Sequence, residues 1–108
     1  MKTGDIILIP YPFAQSTNVK VRPAVVIAQT NDQYKDIILA AISSVIPKTI
    51  SVNEIIIESN ETNKLRTKSV IKVDRIVTLK KGDMIAQLGK LSKSELTTFK
   101  NIFQNLVK

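Results

Sequence analysis

Neither cysteine nor histidine occurs in this chain of 108 residues. Without cysteine there is no disulfide, no thiolate metal site and no thiol nucleophile. Without histidine, the commonest general base and the commonest transition-metal ligand are both missing. Any catalysis falls to Arg, Lys, Asp, Glu, Ser, Thr or Tyr. Long hydrophobic runs are lacking too, for nothing approaches the ~20 apolar residues of a membrane span. The opening "MKTGDIILIPYPF" carries one lysine and a short apolar stretch interrupted by Asp5, glycine and proline, which makes a poor secretory signal. A cytoplasmic protein without a membrane partner is the expectation. Carboxylates are few and stand without ligand spacing, so neither a metal nor a cofactor is expected. No repeat, low-complexity stretch or linker divides the chain, and its length suits one domain over 1–108.

What is present is a core and a positive charge. Apolar residues make up 44% of the chain, enough for a domain of this size to fold without staples. The net charge is +7 and the pI about 9.8, a balance that suits a polyanionic partner. The charge is concentrated. Lys64, Arg66, Lys68, Lys72, Arg75, Lys80 and Lys81 fall within one short stretch, opposed there only by Asp74.

Short β-branched runs separated by turn formers predict strands. They are "GDIILIPYP", "PAVVIAQ", "DIILAAIS", "VNEIIIES", "SVIKVDRIVTL" with a break near Asp74, and a short "MIAQLGKL". The near-continuous apolar character of residues 36–43 predicts burial on both faces. "AQSTNVK" reads as a loop and "KGD" as a turn. Ser92 and Glu95 fit a capping box. After them Leu96, Phe99, Ile102, Phe103, Leu106 and Val107 recur at helical spacing. The fold class expected is mainly β with a C-terminal α-helix: a small, strongly bent barrel of five to seven strands.

Three places carry candidate chemistry. In "KVRPAVVI", Pro23 biases Arg22 towards extended backbone at the mouth of an apolar strand. Arg22 is then either a strand-edge charge or a preset phosphate-binding fork. In "IKVDR", alternation sends Lys72 and Asp74 away from the core that Ile71 and Val73 face. That pair is either an ordinary solvated face or a ligand site. Ser43 closes an apolar strand, where its hydroxyl either satisfies local backbone or donates to a ligand. With no histidine to activate it, a nucleophilic role does not follow.

Together "GDIILIPYPF", "KVRPAVVIAQ", "ILAAISS", "SVIKVDRIVTL" and "LGKLSKSEL", in this order, resemble the MazF/PemK family of toxins from type II toxin–antitoxin pairs. The resemblance implies an SH3-like barrel of the CcdB/PemK type. It implies a homodimer, an antitoxin partner, and a metal-independent endoribonuclease (an mRNA interferase) acting on single-stranded RNA. Cleavage in that family runs through attack of the ribose 2′-hydroxyl on the adjacent phosphate, leaving a 2′,3′-cyclic phosphate. Arg22 matches the family's catalytic arginine and Ser43 its catalytic Thr or Ser. Lys72 and Asp74 stand where some relatives carry Arg and Asp, and Asp74 is the candidate acceptor of the 2′-hydroxyl proton. Lys72 keeps the arginine's charge without its bidentate fork. Lys20, Ser44, Lys72 and Arg75, with Gln15, Ser16 and Thr17 of a loop lacking the glycines common in relatives, are the expected RNA-binding residues. Tyr11, Phe13 and Tyr34 are candidate base stackers. Two alternatives share the fold: a CcdB-like inhibitor of DNA gyrase, and an RNA-binding barrel that has lost catalysis.

Overall fold

The computed structural model describes residues 1–11 and 20–107. Six antiparallel strands form one curled sheet: β1 (Asp5–Tyr11), β2 (Lys20–Gln29), β3 (Ile37–Ser43), β4 (Glu54–Ile57), β5 (Ser69–Leu79) and β6 (Ala86–Lys90). Their order across the sheet is β4-β5-β3-β2-β1-β6, a half-barrel whose two edge strands do not pair. Helix α1 (Lys93–Asn105) closes the chain. The segment 81–83, expected as a turn, is one turn of 3₁₀ helix. β2 starts at Lys20, before the proline rather than at it, because Tyr11 of β1 still pairs with Lys20.

The sheet has two apolar faces. On one, Ile6, Val25, Ile27, Ala40, Ile42, Ile71 and Val73 pack with Leu91 and the fully buried Phe99 of α1. On the other, Ile7, Ile9, Ala24, Val26, Ile37, Leu39 and Leu79 make a second core. Strand β3 is apolar from Ile37 to Ile42 because its alternate residues enter different cores. The helix begins as its sequence dictates: Glu95 N–H donates to Ser92 Oγ at 3.2 Å, and Ser92 N–H donates to Glu95 Oε1 at 2.8 Å. Leu96, Ile102, Phe103 and Leu106 lie against the core. Val107, expected on the same stripe, is exposed instead, since helical periodicity ends at Asn105 and no longer sets its direction.

β5 does break near Asp74. Ala41 pairs with Lys72 but Ala40 pairs with Ile76, leaving Val73, Asp74 and Arg75 as an inserted bulge on β5. At the far end of the β2–β3 hairpin, Asp32 closes the turn. Its carboxylate accepts from Thr30 Oγ1 at 2.8 Å and from the Tyr34 and Lys35 N–H groups. The Thr30 hydroxyl first, then those amides, hold the Asp32 carboxyl below its usual range.

Gly89 of β6 lies against the loop at residues 62–63. A Cβ there would stand 2.7 Å from the Asn63 carbonyl oxygen and closer still to that of Thr62. Backbone cannot swing aside as a side chain does. Gly89→Ala is therefore expected to destabilise the fold by about 1–3 kcal/mol, read as a lower urea midpoint at unchanged m-value. A midpoint equal to that of the parent chain would show that the loop yields freely.

Candidate active-site groove

The ladder between β2 and β3 runs from Gln29↔Ile37 to Ala24↔Ala41 and stops there. The next residue of β2 is Pro23, which has no N–H to donate. Arg22 beyond it pairs only with Ile9 of β1. Carried two residues further, the β2–β3 register sets Arg22 opposite Ser43 across the opened end of the hairpin. Both share the sheet face of Ala24 and Ala41, the face away from α1. Ala41↔Lys72 places Lys72 on that face as well, and Asp74 follows two residues on.

The result is an open groove of about 670 Å³. Arg22, Ser43, Ser44, Lys72, Asp74 and Arg75 line it together, over a floor of Ile9, Leu39, Ala41 and Val77 with Tyr11 at the rim. Small alanine in the floor leaves the depth. Arg22 is exposed and makes only a 3.5 Å hydrogen bond to the Val21 carbonyl oxygen, with no carboxylate partner among the described residues. Its charge stays available to an anion. Ser43 Oγ accepts from the Val45 N–H at 3.1 Å, so the local-backbone reading of this hydroxyl is realised. Its own proton has only a marginal 3.5 Å contact to the Val45 carbonyl oxygen, which leaves it able to donate into the groove.

Two groups brace the opposite wall. Lys72 Nζ lies 3.7 Å from the Glu54 carboxylate of β4, directly across the ladder. Asp74 Oδ2 accepts from Asn53 Nδ2 at 3.3 Å. Ser51 fixes both braces from behind: its N–H donates to Glu54 Oε1 at 2.7 Å, and its Oγ accepts from the Asn53 N–H. Glu54 and Asn53 carry no motif in the sequence. The alternation within 52–59 would have put Glu54 on a face, but only the β4–β5 register reveals its partner.

Of the residues expected at the site, Arg22, Ser43, Ser44, Lys72, Asp74 and Arg75 meet in one groove. Lys20 starts β2 on the same side of the strand but is not part of the groove lining. Gln15, Ser16, Thr17 and Phe13 lie outside the described residues. Tyr34 belongs to the hairpin turn at the opposite end of β2 and β3, so it cannot stack on a base bound near Arg22. The turn residues around it, not its aromatic ring, account for its position.

This architecture defines a class: a curled antiparallel half-barrel whose opened hairpin end holds, among the described residues, a guanidinium without an ion pair in one groove with a carboxylate. The family model for PemK-like, MazF-like toxins of type II toxin–antitoxin systems matches residues 2–107, and the chain belongs to that family. The fold also resembles solved structures. One is a chain from an endoribonuclease in complex with its cognate antitoxin from a mycobacterial species, with a TM-score of 0.73 at 13% identity, covering 97% of this chain and 92% of that one. Another is the Mycobacterium tuberculosis toxin MazF-mt6, with a TM-score of 0.67 at 18% identity, covering 94% and 93%. No curated protein sequence matches the chain significantly.

The Lys72–Glu54 contact is long for an ion pair, and the lysine side chain keeps 28% of its surface in solvent. A double-mutant cycle with Lys72→Met and Glu54→Gln, followed by urea unfolding, is expected to give a coupling under about 1 kcal/mol. A coupling several times larger would mean that Lys72 is locked in the wall and unavailable to a ligand.

Proposed function

We propose that this groove is the active site of a metal-independent endoribonuclease that cuts single-stranded RNA, the catalytic half of a toxin–antitoxin pair. Family membership supplies the toxin class, and the chain's own residues supply the chemistry. The observation that carries the reading is Arg22: a cationic fork with no ion pair among the described residues, in one groove with Ser43, Lys72 and Asp74. The match to the PemK/MazF model does not favour the CcdB-like alternative.

The nucleophile belongs to the RNA. The ribose 2′-oxygen forms a bond to the adjacent phosphorus, its proton passes to the Asp74 carboxylate, and the bond from phosphorus to the 5′-oxygen breaks. The leaving oxygen takes a proton from solvent. The products are a 2′,3′-cyclic phosphate and a 5′-hydroxyl. Between these states the phosphorane carries extra negative charge, and Arg22 with the Ser43 hydroxyl stabilises it. Asn53 aims the Asp74 carboxylate. Lys72 and Arg75 hold neighbouring phosphates, and Lys72 exchanges Glu54 for one of them. Ser44 and Lys20, with Gln15, Ser16 and Thr17, complete the RNA contacts. The +7 charge favours capture by an acidic antitoxin through complementary fields. The working form is a homodimer, expected at twice the 12.0 kDa of one chain by light scattering.

Purified protein is expected to cut single-stranded RNA in EDTA and to leave cyclic-phosphate ends. Arg22→Ala is expected to lose on the order of 100- to 1,000-fold in rate while its circular dichroism spectrum stays unchanged. Uncut RNA with the parent chain would refute the assignment, and so would undiminished cutting by Arg22→Ala.

A further inference from the structure

A second hollow of about 390 Å³ lies on the other side of Arg22. It shares Arg22, Pro23, Ile42 and Ser44 with the groove, so the two adjoin along the opened end of the β2–β3 hairpin. Lys64, Arg66 and Thr67 form one of its walls, and Leu8, Leu65 and Leu88 contribute apolar surface. Neither cation has an ion pair among the described residues, whereas the next one, Lys68, lies 3.6 Å from Glu58. The hollow is therefore cationic on one side and apolar on another.

Its basic wall is unusually well fixed for a connecting segment. Asn63 is fully buried. Its Oδ1 accepts from the Asn60 and Leu65 N–H groups at 3.0 Å each, and its Nδ2 donates to the Glu58 carbonyl oxygen at 2.8 Å. Asn60 Oδ1 accepts in turn from the Thr62 and Asn63 N–H groups. The Lys90 N–H of β6 donates to the Thr62 carbonyl oxygen at 3.1 Å. Lys64 is held at φ 56°, a left-handed conformation that costs energy in a lysine and is sustained only by such surroundings. Leu65 then enters the core and leaves Lys64 and Arg66 beside the hollow. The backbone that carries these cations is thus already ordered, so binding an anion costs the freedom of the exposed side chains and not that of the loop.

We infer that this second hollow is the subsite for the nucleotide flanking the scissile link, with its phosphate on Lys64 and Arg66 and its base against the leucine side chains. The inference rests on the nuclease reading, because that reading places the scissile phosphate at Arg22, where the two hollows join. A strand crossing that point has one nucleotide on either side of it. A hydroxyl-lined, half-apolar hollow fits a nucleotide better than it fits an acidic peptide, which needs charge alone.

The test is the salt dependence of binding to a short single-stranded RNA bearing a 2′-deoxy residue at the mapped cut position, so that no cleavage intervenes. The variant Lys64→Asn/Arg66→Gln keeps a residue tolerant of positive φ at 64 and changes only exposed side chains. Its slope of log affinity against log salt is expected to be shallower than the parent's by about 0.7 for each phosphate lost. Lys100→Gln, one charge removed from α1, is the control and is expected to keep the parent slope. On cleavable RNA the double variant is expected to raise KM and leave kcat in place. An unchanged slope would overturn the subsite, as would loss of oligoglutamate binding without any change towards RNA. If the parent chain cuts no RNA, the nuclease reading fails by that result and takes the flanking position with it, while the slope measured on unmodified RNA still judges whether Lys64 and Arg66 hold RNA phosphate.

Discussion

The site depends on the point where β2 and β3 stop pairing. A proline cannot extend the ladder, so the hairpin parts at Pro23, one residue beyond the last pair at Ala24↔Ala41. Had the ladder continued, Arg22 and Ser43 would be neighbours in a closed sheet. Because it ends, they flank an opening with two apolar cores beneath it. The β5 bulge acts from the other side by inserting Val73, Asp74 and Arg75 into a strand that otherwise matches β3 residue for residue. That insertion brings a carboxylate and a second arginine to the groove while Val73 stays in the core.

Electrostatics divides the cations by their partners. Lys68 and Lys72 each face a glutamate on or beside β4. Arg22, Lys64 and Arg66 face none among the described residues; Arg22 lines both hollows, and Lys64 and Arg66 line the second. Two carboxylates, Glu54 and Glu58, are thus engaged on the β4 side and do not offset the charge of Arg22, Lys64 or Arg66 by direct pairing. An arginine suits the central position better than a lysine would. Its planar fork matches two phosphate oxygens, where an ammonium offers a single point charge.

Rigidity is distributed to match. The loop carrying Lys64 and Arg66 is tied by two asparagines, one of them buried, and abuts a glycine whose missing side chain allows the approach. Ser51 ties the segment carrying Asn53 and Glu54. Both braces are local backbone-capping patterns of the kind that asparagine, serine and glutamate make wherever a strand begins or a turn closes. Here they stand behind residues that face the solvent-filled openings.

The sequence by itself determined the elements, and it pointed to several of the residues that line the candidate groove. Period-two alternation and β-branched runs marked the strands, Ser92 and Glu95 marked the helix start, and the Arg-Pro pair marked Arg22. These signals are local, and local sterics and hydrogen bonding are sufficient to produce them. What only the tertiary structure decided is pairing across the sheet. Glu54 meets Lys72, Asn53 meets Asp74, and the basic loop at 64–67 arrives beside Arg22 through the β4–β5 register and the seat of Leu65 in the core. The same holds for Tyr34, an aromatic that composition offered as a base stacker and topology placed at the far end of the hairpin. Register depends on which apolar faces are buried together, a property of the whole sheet that no single stretch of residues contains.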